Sequence, residues 1–202
     1  MRPHAAVAAV AMLAACTLAP APADTPGGDI LGTLPPPGYG TLRLDEISIL
    51  LVSGDLEIMV TPLDEAIIRV AAPDTYRRMS GMADAYRASA PPGSSLFLVS
   101  FYSEQADVLF VPEEVQLISR GLRIRPGTIT PIATTWGRRR LKQRQTETAI
   151  YSFVGTVDIE SDLVLVYGLD QTHVWSAILP RIQQERARAR ARARIGGGNT
   201  PA

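Results

Sequence analysis

The chain has 202 residues, which is about the size of one domain, and its 20 basic and 20 acidic residues give a formal net charge of zero. Proteins that bind nucleic acids usually carry a basic excess, so this balance argues against that function. Apolar residues make up 46% of the chain and charged residues 20%, a composition typical of a folded domain. The one cysteine is Cys16, which excludes a disulfide framework, a cysteine-rich zinc site and a cysteine nucleophile in the folded part.

The first 16 residues carry the strongest signal in the sequence. Eleven consecutive apolar residues, 5–15, follow Arg2. A helix needs about 20 residues to span a bilayer core, so this run is too short for a stable transmembrane segment and fits a secretory signal peptide. The run ends in Leu13-Ala14-Ala15-Cys16, which is similar to the lipobox of bacterial lipoproteins.

The resemblance to bacterial lipoproteins covers residues 1–16 only. It implies that the signal peptide, residues 1–15, is removed and that Cys16 becomes the acylated first residue of the mature chain. Acyl chains anchor by about 0.8 kcal/mol per buried CH₂, and the three chains typical of the family would hold the protein firmly. Thr17 stands where an Asp often signals retention at the inner membrane, so the resemblance implies an exported, membrane-anchored protein at the outer membrane or periplasmic face. The alternatives are an ordinary cleavable signal or a buried apolar helix in a cytosolic protein, with Cys16 there by chance.

The next segment is rich in residues that break regular structure. Residues 17–41 contain six Pro and five Gly, and neither a helix nor a strand ladder can run through them. We interpret residues 16–41 as the lipidated cysteine and a Pro/Gly-rich tether that lifts the domain off the membrane. An ordered arm packed on the domain is the alternative, favoured by Ile30, Leu31 and Tyr39.

Residues 42–182 are predicted to form a single, mainly β domain with an antiparallel sandwich-like arrangement, for which α+β is the alternative class. Alternating or continuously apolar runs between Pro and Gly turn signals predict its strands at 41–52, 95–102, 114–119, 122–125, 148–154 and 162–167. The run at 95–102 is apolar on both faces and is expected to be a central strand. In the strand at 122–125 we expect Leu122 and Ile124 to point inward.

Two helical segments are expected within this domain. Thr61 followed by Pro62 resembles a helix N-cap, and one or two turns would follow. Residues 74–88 predict an inserted amphipathic helix, because Tyr76, Met79, Met82 and Tyr86 recur at helical spacing. This stripe is interpreted as core, with the lining of a ligand groove as the alternative.

The C-terminal segment, residues 183–202, is an Arg/Ala low-complexity tail. Ala and Arg favour a helix, which we expect to begin near Pro180 and to end at the glycines from Gly196. Arginine at every second position leaves no apolar face on such a helix. The tail is either a polybasic arm for membrane phosphates or an acidic partner, or a repeat without a role.

Few residues in the mature chain suggest catalysis. It holds one histidine, His173, and neither G-x-S-x-G, G-x-G-x-x-G nor a P-loop occurs, so no cofactor is predicted. Asp158, Glu160 and Asp162 would share one face of a strand and could hold Ca²⁺ or act as an acid–base pair. A hairpin turn with solvated acids is the simpler interpretation.

A basic run follows Trp136-Gly137 and holds five basic and no acidic residues, namely Arg138, Arg139, Arg140, Lys142 and Arg144. It could meet anionic headgroups or lipopolysaccharide phosphates, where each cation contributes about 1 kcal/mol. It could also pair with acidic residues of 145–170 or form a solvated hairpin loop.

These observations predict a lipid-anchored cell-envelope protein that acts as a non-catalytic binding or scaffolding module. Its expected partners are membrane lipid through acylated Cys16 and an envelope protein or an anionic headgroup, and nucleic acid is not expected. One alternative is a metal-dependent hydrolase that uses His173 and the acids at 158–162. The other is an envelope-assembly component that docks through its basic tail.

Overall fold

The computed structural model describes residues 34–155 and 157–197. The predicted signal peptide, Cys16 and the predicted tether up to residue 33 lie outside these residues. The described part contains eleven strands, which are β1 Ile49–Ser53, β2 Leu56–Pro62, β3 Ser95–Ser103, β4 Val108–Leu109, β5 Val115–Ser119, β6 Leu122–Ile124, β7 Pro126–Pro131, β8 Arg140–Leu141, β9 Gln145–Phe153, β10 Leu163–Tyr167 and β11 Asp170–Thr172. Its α-helices are α1 Glu65–Ile68, α2 Pro73–Arg87 and α3 Trp175–Gly197, and 3₁₀ turns lie at Leu44–Ile47, Pro112–Glu114 and Trp136–Arg138.

The strands pair into antiparallel sheets, which confirms the predicted fold class. The larger sheet has the order β1-β2-β3-β9-β7, and a second sheet has the order β11-β10-β5-β6. A short ribbon pairs β4 with β8. Inward residues of both sheets, such as Phe97 and Tyr151 in the first and Leu117 and Leu165 in the second, form one continuous core. The arrangement is sandwich-like, since each sheet buries one face against the other.

Strand β3 lies in the middle of the larger sheet, as its doubly apolar sequence predicts. Phe97 faces the inter-sheet core, whereas Leu96 and Leu98 face the opposite side and pack with Met79 and Ala83 of α2. The methionine and tyrosine stripe of α2 is therefore core and covers the outer face of this sheet.

Two local predictions were wrong. Thr61 does not cap a helix but lies in β2, where its hydroxyl oxygen is 2.7 Å from the buried Ser48 Oγ. Asp64 is the N-cap of α1, and its Oδ1 accepts a hydrogen bond from the Ala66 N–H at 2.8 Å.

Leu122 was expected to point inward but is 71% exposed, because β6 is a short edge strand at the margin of its sheet.

The predicted strand at 41–52 is also shorter than expected. A 3₁₀ turn occupies Leu44–Ile47, and β1 begins only at Ile49. The turn is favoured because the Glu46 side chain accepts a hydrogen bond from the Arg43 N–H at 2.9 Å. Ile47 is fully buried. The turn therefore places this side chain in the core, as the predicted strand would also have done.

The described part of the predicted tether packs on the domain. The Thr41 N–H and hydroxyl donate to Glu185 Oε1 at 3.1 and 2.8 Å, and the Arg192 Nε donates to the Tyr39 carbonyl at 2.9 Å. A Cβ on Gly40 would lie 2.1 Å from the Val70 carbonyl carbon, so only glycine fits this close approach. For residues 34–41 these contacts favour the alternative of an ordered arm.

Helix α3 differs from its prediction in two respects. It begins at Trp175 and carries Pro180 inside, although proline cannot donate the hydrogen bond of that position. One face is buried and includes Ile178, Ile182, Glu185 and Ala189, so the expectation of a helix without a buried face was wrong. An alanine is small enough to pack against the domain even within an arginine-rich repeat.

Candidate functional site

The three acids singled out in the sequence lie in the turn before β10. Asp158 accepts a hydrogen bond from the Arg120 Nε at 2.7 Å, and Glu160 accepts one from the Arg186 NH1 at 2.9 Å. Asp162 is exposed. The Glu160 N–H also donates to Asp158 Oδ1 at 3.1 Å, which is the geometry of a turn stabilised by its own side chain.

Hydrogen bonds favour the ionised form of the first of these acids. Partial burial acts to raise the pKa of Asp158, but the hydrogen bonds of Arg120, then those of Ser161 and the Glu160 N–H, together with the Arg120 charge, outweigh burial and hold that pKa below its ordinary value. Within 34–155 and 157–197, no three His, Cys, Asp or Glu side chains are placed to hold a metal ion. His173 is exposed near the start of α3, and its carbonyl accepts a hydrogen bond from the Ser176 hydroxyl. Among the described residues, His173 and the three acids therefore do not form a group that could hold a metal ion.

The basic run extends from the end of the 3₁₀ turn at Trp136–Arg138, through strand β8, to the residue before β9. All five basic side chains are exposed. Arg139 pairs with Glu113 and Arg140 pairs with Asp107, the latter at 2.8 Å between NH1 and Oδ1. No acidic partner occurs in the described residues for Arg138, Lys142 or Arg144. The run is therefore partly neutralised by acids that come before it in sequence, not by those of 145–170.

A groove opens beside this run, and we call it the basic groove. It has a volume of about 390 Å³ and is lined by Ala106, Asp107, Thr135, Arg138, Arg140, Leu141, Lys142 and Gln145. Arg139 adopts a left-handed backbone conformation (φ 52°), which reverses the chain between Arg138 and Arg140. Arg138 and Arg140 thus line the groove, whereas the Arg139 side chain pairs with Glu113.

A buried carboxyl lies behind the groove wall. Glu147 is only 1% exposed, and its Oε1 accepts hydrogen bonds from Thr135 and Gln145, two of the groove-lining side chains. No hydrogen-bond partner occurs for Glu147 Oε2 in the described residues. Sequence reasoning missed this residue. The available signal was a polar side chain at an inward position of an alternating strand, in register with Ala149 and Tyr151.

Buried aromatic side chains pack beneath the backbone that carries the basic groove. Trp136 is buried, and its ring centroid lies 5.7 Å from that of Phe101 and 5.2 Å from that of Phe110. The Phe110 N–H donates to the Arg139 carbonyl at 3.0 Å, and the Arg144 N–H donates to the Ser103 carbonyl at 2.8 Å. Hydrogen bonds at Arg139 and Arg144 therefore hold the backbone of the basic run in place, so the points from which its side chains extend are preorganised.

Two buried tyrosines hold the neighbouring loop that presents Glu113. The Tyr151 hydroxyl donates to the Pro112 carbonyl at 2.9 Å, and the Tyr167 oxygen accepts from the Val111 N–H at 2.8 Å. Burial, followed by the charge of Glu113, raises the pKa of Tyr151 far above its usual range, and burial also raises the pKa of Tyr167. Both hydroxyls therefore remain neutral hydrogen-bonding groups with a structural role.

A smaller cavity of about 180 Å³ lies between α2 and β3. It offers one cation, Arg87, which donates to the Leu63 carbonyl. The basic groove has three cations and the larger volume, and it is the better candidate for a binding site.

No helix in the described part of the chain is long and apolar enough to cross a membrane. Comparison with models of known families, with curated proteins and with solved structures finds no match for this chain.

Proposed function

We propose that this protein is a lipid-anchored module of the cell envelope that binds without catalysis, and that the basic groove takes an oxyanion group of an envelope ligand. The observation that carries the binding site is the convergence of Arg138, Arg140 and Lys142 on one groove of about 390 Å³. The anchor is supported by the lipobox-like segment ending at Cys16 and remains a separate part of the proposal.

The chemistry of the groove suits a phosphate or carboxylate group. Arginine presents a planar fork of N–H donors that matches such groups, and lysine adds a compact charge. Arg138 and Lys142 have no ion-pair partner in the described residues, while Arg140 shares its charge with Asp107. An incoming oxyanion would therefore meet two available cations and compete with Asp107 for the third.

The alternative of a metal-dependent hydrolase has weaker support. Arg120 and Arg186 already engage Asp158 and Glu160, and a cation would have to displace both arginines. The geometry of the turn thus favours a structural role for these acids.

Titration calorimetry of the detergent-purified full chain with pyrophosphate tests the groove. Because one bidentate or charged contact to an anion contributes about 1.5–3 kcal/mol, we expect the Arg138→Gln/Lys142→Gln variant to bind at least about tenfold more weakly. Arg77→Gln/Arg78→Gln removes the same charge from exposed positions of α2 and should leave the affinity unchanged. Equal affinity in the first variant, or equal weakening in both, would refute the groove as the site.

Mass spectrometry and membrane fractionation test the anchor. We expect the mature chain to begin at Cys16 with acyl chains attached, and Cys16→Ser to move the protein out of the membrane fraction. An unmodified Cys16 with the leader retained would refute the anchor but would leave the groove experiment valid.

A further inference from the structure

Four arginines of α3, Arg186, Arg188, Arg192 and Arg194, fall into two groups that the period-two sequence does not distinguish. Each residue turns about 100° around a helix, so arginines spaced by two alternate sides and drift around the axis. Arg186 turns inward, where its Nε donates to the Ala66 carbonyl at 2.8 Å and its guanidinium pairs with Glu160. Arg192 also turns inward and contacts the Tyr39 carbonyl and Glu185. These two arginines hold the helix on the domain.

The other side of the same half of α3 has no such role. Arg188 and Arg194 are exposed, and no partner for either occurs in the described residues. Around the helix axis, the exposed residues Ala187 and Ala191 lie between these two arginines. Ile195, which is 80% exposed, lies on the same face. We call Ala187, Arg188, Ala191, Arg194 and Ile195 the outer arginine face. No acidic residue occurs at 186–197, and Glu185 itself is buried.

The chain that would carry the anchor joins the domain beside this half of α3. Tyr39 contacts Arg192, and a Cβ on Gly196 would lie 3.5 Å from the Tyr39 hydroxyl oxygen. Residues 17–33 separate Cys16 from the first described residue, and an extended chain of that length reaches at most about 60 Å. A bilayer that holds Cys16 is therefore within reach of α3.

We propose that the outer arginine face lies on the anionic phospholipid headgroups of the membrane that holds Cys16. Arginines that flank a narrow apolar strip are typical of helices in the interfacial plane, because their side chains extend toward phosphates while the apolar residues enter the headgroup region. The cationic face complements anionic headgroups, and the anchored chain arrives on the same side of the domain. The inference rests on the proposed anchor and assigns the orientation of the domain on the membrane.

Depth-dependent quenching of a fluorophore tests this orientation. Acylation blocks Cys16, so Ala191→Cys places one free thiol in the middle of the outer arginine face, and Leu122→Cys on β6 provides a matched exposed control. The full-length acylated chains are labelled with an environment-sensitive dye. They are reconstituted into vesicles of phosphatidylcholine with 30% phosphatidylglycerol that contain headgroup-labelled quencher lipid, and a parallel set uses phosphatidylcholine alone. About one lipid in three is then anionic, so the vesicle surface carries a negative potential that attracts cationic side chains.

We expect strong quenching at position 191 in anionic vesicles, little in neutral vesicles and little at position 122. Each cation near an anionic surface strengthens association about fivefold, so Arg188→Gln/Arg194→Gln should lower the equilibrium constant for helix contact by about 25-fold. Arg77→Gln/Arg78→Gln removes the same charge from exposed positions of α2 and should leave quenching unchanged.

Three results would overturn the proposal. If the dye at position 191 is not quenched in anionic vesicles, the outer arginine face does not contact headgroups, and an acidic protein becomes the alternative partner. Equal quenching in neutral vesicles, or quenching that the Arg188/Arg194 substitutions do not alter, would exclude headgroup charge as its cause. Chains that fail to float with the vesicles would instead refute the anchor, so the two proposals fail in different ways.

Discussion

The loop at 138–144 and the helix at 181–194 are both rich in arginine, but the domain uses them differently. In the loop, the ion pair between Arg139 and Glu113 joins two side chains that are 50% and 55% exposed. In the helix, the Arg186 side chain is only 14% exposed, and Glu185 is almost fully buried between Thr41 and Arg192. Composition does not separate structural from available arginines. The helical repeat separates them, because it turns some side chains toward the domain and others away from it.

The largest effect in this comparison is expected at Glu185. Glu185→Ala would leave both Thr41 donors without their acceptor and the half-buried Arg192 guanidinium with only the Tyr39 carbonyl, and losing these hydrogen bonds to a buried carboxylate is expected to cost about 3 kcal/mol of unfolding free energy. Chemical denaturation measures the change. The exposed neighbour Gln184→Ala should stay within about 0.5 kcal/mol of the parent chain. Similar values for the two variants would contradict a buried network at this end of the helix.

Arg186→Ala should rank second, with a loss of about 2 kcal/mol, because it removes a bidentate pair with Glu160 and a bond to the Ala66 carbonyl. The same substitution at Arg188 is the matched control and should be close to neutral. Denaturation midpoints of the two variants measure the difference. A destabilising Arg188→Ala would break the division of α3 into inward and outward arginines.

In the loop, Arg139→Ala should cost less than about 1 kcal/mol, as is usual for ion pairs between exposed side chains. Arg138→Ala, which lacks such a pair in the described residues, should have no measurable effect on stability. Thermal unfolding of both variants at low and high salt measures this, since added salt should remove the small Arg139 contribution. A loss above 2 kcal/mol at either position would show that the groove wall, like α3, depends on its charges.

The smallest effect concerns Asp158 and pH. Because the pKa of Asp158 is lower in the folded than in the unfolded chain, its contribution is fully present above about pH 4 and is lost as pH falls through the folded-state pKa. Arg120 is 74% exposed, so the contribution should stay below about 1 kcal/mol. Stability curves of the parent and Asp158→Asn should therefore differ at pH 6 and approach each other as the pH falls below the folded-state pKa of Asp158. Parallel curves over the whole range would contradict the pair.

The sequence predicted those strands and helices whose apolar residues form a continuous run or recur at a regular spacing. Residues 96–99 and 163–167 are continuously apolar, and they lie in β3 and β10 at places where neighbouring strands or α2 cover both sides. The stripe of α2 was predictable for the same reason. Strand β2 was missed, although Leu56, Ile58 and Val60 alternate inward, because the Thr61-Pro62 pair was taken as the start of a helix.

The candidate site was predictable only in part. A run of basic residues predicts a cationic surface, but the groove depends on the reversal at Arg139 and on tertiary pairing with Asp107 and Glu113. Glu147 was not predicted because burial of a carboxyl depends on Thr135 and Gln145, and single-sequence patterns do not report that contact. The inward arginines of α3 escaped prediction for the same reason: their partners are distant in sequence.

The close packing at Gly40 has a practical consequence for recombinant work. Composition suggests that an expression fragment should start at Leu42, just after the proline-rich stretch. Such a truncation would delete both Thr41 donors and the Tyr39 carbonyl, and would leave the buried Glu185 carboxylate with Arg192 as its remaining partner among the described residues. Fragments meant for crystallisation or ligand screening should start no later than Leu34, since shorter ones would be less stable for reasons unrelated to their ligands.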